Sequence, residues 1–456
     1  MLSVLRSTLI SGLSLSLSLR FLLLSVCLSL SLLTGCHRTV ANPTEPIVHL
    51  TFWHGVNPPA NREILQRLVD RFNTSHPKIQ VESLYVGQGD QQIPKILAAV
   101  VGNVPPHLLW YAPMLTGQLV ELDAILPLED WLDSLPIPAP IDPALWESMS
   151  LEQHLWSVPF SVNNVGVFYR PSLFAAAGIT KIPQTWAEFR QVARQLTDAA
   201  QGQSGLLLPL GKGEWTVFMW LPFMWSAGGE LTEVNAEGMD QITLNNPGAI
   251  TALQFWRNLI EDGSAILSAP ERGYELDQFL AGKAAMQLTG PWTLGQLQPT
   301  GVDFAVMPIP QAVRPATSIG GENLFIFKST PAAEAAAKLF AEYILSEAFQ
   351  TEWAIATGYL PVNLDARASQ TYQTFVAQQP AIQVFLQQAA FGRSRPIFPG
   401  YNRLSDALGR AIEAVLLGSQ TPEFALQQAQ TRLELQLSSR RSSLQSRLSR
   451  TVKDQR

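Results

Sequence analysis

Residues 47–111 switch repeatedly between extended and helical patterning, and this alternation restricts the possible folds more than any other feature of the chain. Ile47 to Trp53 (IVHLTFW) is rich in β-formers. Pro58 and Pro59 follow, and Ile64, Leu65, Leu68, Val69 and Phe72 then recur on one helical face until His76-Pro77 ends the run. Ile79 to Tyr85 (IQVESLY) alternates as a strand. The polar turn Gly87-Gln88-Gly89-Asp90 leads into a second helix through Ile96 to Val101, and His107 to Tyr111 is a third strand. Five elements in the order βαβαβ predict an α/β fold with an open, mostly parallel sheet and helices on both faces.

The centre of the chain repeats that logic with other punctuation. Val158 to Tyr169 is an extended crossing segment, and Thr185-Trp186-Ala187-Glu188 is a capping box that opens a helix. Asn246-Pro247 supplies the N-cap and first-turn proline of another helix, which carries Ile250, Leu253, Trp256, Leu259 and Ile260. Phe304 to Ile309 and Leu324 to Phe327 read as strands, and Thr330-Pro331 starts a further helix. The chain has 456 residues, 46% of them hydrophobic, and shows no tandem repeat. Two α/β lobes joined by extended crossings fit this pattern better than three separate domains.

The N-terminus carries the most specific local signal. Arg6 and Arg20 flank a Ser-Leu alternation, Phe21 to Leu33 is an apolar run, and the run ends in Leu33-Thr34-Gly35-Cys36. This resembles a bacterial lipobox. Residues 1–35 are then a signal peptide, Cys36 is the lipidated first residue of the mature chain, and 36–46 is a polar tether. The alternatives are an ordinary signal peptide or an uncleaved anchor, although the run is short for a span of about 20 apolar residues. The only other cysteine is Cys27, so the mature body has none for a disulfide, a zinc cluster or a thiol nucleophile. At the other end, a helix extends to about residue 437, and 431–456 read as a basic helical or disordered tail.

Charge and motifs exclude several functions. Residues 36–431 carry 22 basic and 35 acidic side chains, and so acidic a body is a poor nucleic-acid binder. There is no Gly-x-Ser-x-Gly elbow, no phosphate-binding loop with Lys-Ser/Thr and no His-Glu-x-x-His. The six histidines are dispersed, so no metal or other cofactor is expected. No carboxylate pair organises acid–base chemistry, and the chain reads as a binder rather than an enzyme.

Twelve tryptophans are the richer signal. Trp53, Trp215, Trp225 and Trp292 sit in Gly/Pro-rich surroundings, whereas Trp186, Trp256 and Trp353 lie on helices and are assigned to packing. Sugar rings stack their C–H faces on indoles, while their hydroxyls need amide and carboxyl partners. Trp292 belongs to Gly290-Pro291-Trp292, directly after the strand-like Ala284 to Leu288.

An ordered set of short motifs sharpens this reading. Phe52-Trp53-His54, Val158-Pro159-Phe160 with Asn163-Asn164, and Ile182-Pro183-Gln184-Thr185-Trp186 come first. Trp225-Ser226-Ala227-Gly228-Gly229, Gly290-Pro291-Trp292, Gly320-Gly321 and Thr357-Gly358-Tyr359-Leu360-Pro361 follow in order. Over residues 47–430 they resemble the extracellular solute-binding proteins of carbohydrate ABC importers, the group that holds the glycerol-3-phosphate- and maltose-binding proteins. That resemblance implies a two-lobed periplasmic-binding-protein fold of type II, with hinge strands near 155–165, 300–312 and 348–360 and a ligand cleft between the lobes. The N-terminal lobe would comprise 46–157 with 305–350, and the C-terminal lobe 160–302 with 355–430. The motifs imply ligand contacts at Tyr111, Trp292, Tyr359, Gly321 and Asn163, with its neighbour Asn164. Loop position adds His54, Asp90, Trp215, Glu322 and Tyr401.

Departures from the pattern bear on the ligand. The glycerol-3-phosphate-binding members have an acidic residue where this chain has Ala112 and a tyrosine where it has Gly89. Their phosphate-binding arginine aligns near Asp406. Exchanging that arginine for an acid would repel a phosphate dianion, so the expected ligand is a small neutral sugar, glycoside or polyol. The expected carrier is a monomer that hands its ligand to the ABC permease subunits. It would be lipid-anchored at the periplasmic face of the membrane, or at the surface of a single-membrane cell. The alternatives are a glycerol-phosphate or phosphodiester binder of the same class, a sugar-sensing or adhesion lipoprotein, and a lipoprotein glycoside hydrolase with two carboxyl groups about 5–10 Å apart.

Overall fold

A computed structural model of the chain describes residues 46–135, 140–211, 213–234, 240–269 and 276–436. The expected signal peptide, Cys36, nearly all of the tether and the tail from 437 lie outside the described residues. The opening forms as its patterning dictates: β1 (Val48–His54), α1 (Pro59–Ser75), β2 (Ile79–Tyr85), α2 (Gln92–Val101) and β3 (Leu108–Tyr111). Helix α1 starts on Pro59, where a missing N–H forfeits no bond, and it buries Ile64, Leu65, Leu68, Val69 and Phe72. Strand β1 pairs in parallel with both β2 and β3.

Strands β4 (Val158–Asn164) and β5 (Gly166–Tyr169) are consecutive, yet they belong to different sheets with only Val165 between them. The second sheet joins β5 to β6 (Ser204–Leu208), β7 (Ala265–Leu267), β8 (Ala284–Thr289) and β9 (Ala305–Met307), in the order β7-β6-β8-β5-β9. Its helices are α3 (Trp186–Gln195), α4 (Glu214–Ser226) and α5 (Pro247–Glu261). Thr185 and Glu188 form the capping box of α3, and Asn246 caps α5. From β9 the chain returns through 308–316 to β10 (Thr317–Ile326), which pairs antiparallel with β3 and β4. Then follow α6 (Pro331–Leu345), α7 (Glu347–Thr357), α8 (Pro380–Ala389) and β11 (Gly392–Arg393), which completes the first sheet as β11-β10-β3-β1-β2. A third crossing, 394–400, leads back to α9 (Tyr401–Leu416) beside α4 and α5.

Each sheet has its own core. Leu50, Phe52, Phe72, Phe340 and Trp353 belong to the first, and Leu206, Trp220, Phe223, Leu253 and Trp256 to the second. Helix α8 ties two crossings together. Asn164 Nδ2 donates to the Phe385 carbonyl (2.8 Å), the Ile309 N–H donates to Gln388 Oε1 (3.0 Å), and Gln388 Nε2 donates to Asn164 Oδ1 (3.3 Å). The third crossing lies at 394–400 and not at the expected 348–360. There Leu360 is pinned to β4 by paired backbone bonds with Val162 of 2.8 and 3.2 Å.

Two tryptophan expectations change. Trp225 lies inside α4, a helix buried throughout after Trp215 and apolar on all sides, as buried helices are. The Ser-Ala-Gly-Gly turn that suggested a loop begins only at its end. Trp53 lies on β1. Trp186, Trp256 and Trp353 are buried.

Candidate ligand cleft

A cavity of about 330 Å³ opens where the carboxyl ends of the two sheets' strands approach each other. That is where open α/β sheets hold ligands, and the volume is within the range of small-molecule sites. Segments after β1 and β2 and the end of β3 contribute Asn57, Gln88 and Trp110-Tyr111 on one side. The opposite side carries Trp215 and Phe218 from the first turns of α4 and Trp292 from the turn after β8. Asn163, Glu322, Tyr359 and Arg395 close the floor beside the crossings.

In the aromatic wall the Trp215 and Trp292 rings meet edge to face, their centroids 6.0 Å apart at 65°, and Phe218 lies 6.5 Å from Trp292 in a tilted arrangement. The Trp292 indole folds back over its own turn so closely that a Cβ on Gly290 would stand 2.0 Å from the ring. A glycine at 290 is what lets the half-buried indole lie there.

One charged group of the floor, Arg395, is matched internally. Arg395, 8% exposed, is ion-paired with Glu214, and its guanidinium covers the Phe218 ring at 4.4 Å. Glu214 also accepts from the Ser405 hydroxyl (2.6 Å) and the Tyr401 hydroxyl (3.3 Å). Glu322 is delivered by β10, whose pairing with β4 slips between Glu322 and Asn323, an irregularity of the kind that re-aims side chains. Its neighbour Gly321 has φ +120°, and a Cβ there would stand 2.0 Å from the Ser161 carbonyl oxygen. Burial pushes the Glu322 carboxyl up to about 8, against the opposing pull of the Arg395 guanidinium. Burial and the nearby Glu322 raise the Tyr359 hydroxyl well above its ordinary range.

Six lining residues hold buried polar atoms that no protein group satisfies: Gln88 Oε1, Gln92 Oε1, Trp110 Nε1, Asn163 Oδ1, Glu322 Oε2 and Arg395 Nε. Buried polar atoms are normally bonded. Around this cavity the exceptions include both donors and acceptors.

The cavity gathers Tyr111, Asn163, Trp215, Trp292, Gly321, Glu322 and Tyr359. Three other expected contacts stand outside it. His54 falls on the buried face of β1 with Leu50 and Phe52, its ring 5.8 Å from Phe52 and 6.0 Å from Tyr85. Burial and the Arg62 charge hold its imidazole down at about 4. Asn164 points away from Asn163 by strand alternation and serves the α8 tie instead. Tyr401 is buried behind the ion pair, its hydroxyl on Glu214. Asp90 lies in the short turn before α2, and its side chain is outside the described residues. Asp406 pairs with Arg410 one turn on along α9, both half exposed, and does not line the cavity.

Sequence reasoning missed Gln92, Trp110, Glu214, Phe218 and Arg395. Trp110 adjoins a named contact and Glu214 opens the helix that carries Trp215, so both were within reach. Arg395, in a loop without periodicity, gave no signal. Among the described residues, no group of three or more His, Cys, Asp or Glu side chains could hold a metal, and no helix is long and apolar enough to cross a membrane.

Known proteins place this architecture. The chain is 23% identical over 429 residues to the sn-glycerol-3-phosphate-binding periplasmic protein UgpB of Yersinia pseudotuberculosis, covering 88% of this chain and 94% of that one. It is 21% identical over 321 residues to the maltotriose-binding protein of Pyrococcus abyssi, covering 69% and 66%. The crystal structure of the cyclic α-maltosyl-1,6-maltose binding protein from Arthrobacter globiformis matches with TM-score 0.70 at 25% identity, covering 85% of this chain and 98% of that one. The fold is the two-lobed, type II periplasmic-binding-protein fold. The family model for bacterial extracellular solute-binding proteins matches residues 67–382, and the chain belongs to that family.

Proposed function

We propose that the protein captures a neutral carbohydrate or polyol and delivers it to the permease of an ABC importer, without catalysis of its own. The observation that carries this reading is a cavity with aromatic faces and unsatisfied buried donors and acceptors, whose arginine is already neutralised by Glu214. Indole faces suit the C–H faces of sugar rings, and free amide and indole groups suit their hydroxyls. The names of the maltotriose- and cyclic maltosyl-maltose-binding relatives support the same ligand class.

In this reading Tyr111, Asn163, Trp215, Trp292, Gly321, Glu322 and Tyr359 contact the ligand, joined by Trp110 and Gln92. The N-terminal lobe is built on the first sheet and the C-terminal lobe on the second. Each takes in segments from late in the chain, and they close by swinging about the crossings. The protein acts as a monomer held at the periplasmic face of the membrane, or at the cell surface, by a lipid on Cys36. Cys36→Ser should abolish lipid labelling and leave the precursor uncleaved; normal anchoring of that variant would refute the lipobox reading.

Calorimetry and tryptophan fluorescence on residues 46–436 test the ligand class. Neutral di- and oligosaccharides and glycosylated polyols should saturate the site, and an aryl glycoside should not be turned over. A second reading, a glycerophosphate or phosphodiester binder, is favoured by the presence of Arg395 and by the similarity to UgpB. Binding of phosphorylated compounds alone would select it.

A further inference from the structure

We propose that Glu322 meets the ligand as a neutral carboxylic acid, donating its proton to a hydroxyl or ether oxygen, so that carbohydrate binding weakens as the medium turns alkaline. This rests on the reading of the cleft as a neutral-carbohydrate site.

The geometry leaves an ionised carboxylate without support. Strand β4, opposite Glu322 in the ladder, presents Ser161 and Asn163, neither of which titrates. The Ser161 hydroxyl is near enough to pull on the carboxyl but lacks bonding geometry, and both Ser161 Oγ and Glu322 Oε2 are buried without a hydrogen-bond partner. Strand β3 contributes Tyr111, and the segment after α7 contributes Tyr359, whose burial keeps its own hydroxyl protonated. The cation facing Glu322 is Arg395, and it is committed to Glu214. Arg393, on the neighbouring strand β11, is held bidentate by Glu230 at 2.6 and 2.7 Å.

A carboxylate with no counter-ion of its own in such a wall loses more solvation than its surroundings return. Burial accordingly holds the carboxyl up to about 8, and at neutral pH it keeps its proton. In that form it is a donor, whereas the ionised form only accepts. Gln88 Oε1, Gln92 Oε1 and Asn163 Oδ1 are unsatisfied acceptors around the same cavity. A protonated Glu322 adds the donor that lets a sugar hydroxyl or ring oxygen be met in turn.

Two measurements decide the matter, one of which needs no ligand. In infrared difference spectra of wild type minus Glu322→Gln at pH 7, a protonated-carboxyl C=O band should appear and vanish with a midpoint near 8. Its absence at pH 7 overturns the proposal, whatever binds. By calorimetry with maltose, or the tightest neutral saccharide of the panel above, wild-type Kd should be flat from pH 6 to 7. Above about 8 it should rise roughly tenfold per pH unit, the limit for one linked proton. Glu322→Gln removes the titrating group, so its Kd, whatever its value at pH 7, should show no rise at high pH. A flat wild-type profile to pH 9.5, or an equal rise in Glu322→Gln, overturns the proposal. If the band is present but no neutral saccharide binds at any pH, the carbohydrate reading itself fails, and the ligand half of this proposal fails with it.

Discussion

On the neutral-ligand reading proposed above, replacing Glu214 with glutamine should open the cleft to anions. The Arg395 and Glu214 side chains are only 6% and 20% exposed, so their attraction is little screened and neither charge can recover its water. Removing one partner of a buried pair costs about 3–5 kcal/mol. Glutamine keeps the shape and a carbonyl for the Ser405 and Arg395 donors, so the lower end, about 3 kcal/mol, is expected. The guanidinium left behind stays beside Phe218 and faces the cavity. A charge-assisted bond from it to a phosphate should contribute about 1.5–3 kcal/mol, or roughly 10- to 100-fold in affinity for glycerol 3-phosphate. Urea melts and calorimetry read both effects. Glycerol 3-phosphate at about 100 times its Kd should also return about 2.7 kcal/mol of stability to the variant. An unchanged melt together with no gain in phosphate affinity would refute the claim that Glu214 is what neutralises the cleft.

Trp292→Ala should weaken neutral-saccharide binding by about 1–3 kcal/mol, tenfold to a hundredfold, while lowering stability by less than the roughly 3–5 kcal/mol of a core tryptophan. A much earlier melt with normal affinity would make the indole a packing residue. Gly321→Ala forces a Cβ against the Ser161 carbonyl at φ +120° and should cost on the order of 2–4 kcal/mol with loss of binding; a wild-type melt contradicts that. His54 is held neutral down to about 4, below the usual 6.5 of an unfolded chain. The unfolded state therefore binds more protons between those values, and stability should fall as pH drops from about 6.5 to 4, by at most about 1.4 kcal/mol per unit. His54→Phe should flatten that part of the urea-melt profile, and an unchanged slope would move the titration to another group.

How much of this could be read from sequence depends on the range of the interaction. The βαβαβ opening and the later helix α3 were legible because periodicity, the Pro59 start and the Thr185–Glu188 box are local physics, and α1, β2 and α3 follow them. Trp225 misled because the glycines after it are local too, while the burial of α4 is decided by α5 and α9 packing around it. Adjacent residues also take opposite roles: Asn163 faces the cavity while Asn164 ties the crossings, and a motif naming both cannot tell which face of β4 is which. Arg395 was beyond reach because its role depends on Glu214, 181 positions away, and on nothing in its own neighbourhood. The missing-arginine argument for a neutral ligand was therefore incomplete, since an arginine is present and its charge is taken up by a carboxylate the sequence did not connect to it.

Val165 is the whole length of chain between β4 and β5, and Gln388 fastens that point to the returning segment at Ile309. A joint this short has no slack to slide on; it can only bend. If the lobes close about these crossings, as proposed, the two walls of the cleft would keep their registration at every degree of opening, like the halves of a calliper sharing a pin. A ligand's thickness is then expressed as an angle between rigid bodies rather than as a rearrangement of the residues that touch it. Guests of different bulk would meet the same side chains in the same arrangement and differ in how far the jaws remain apart.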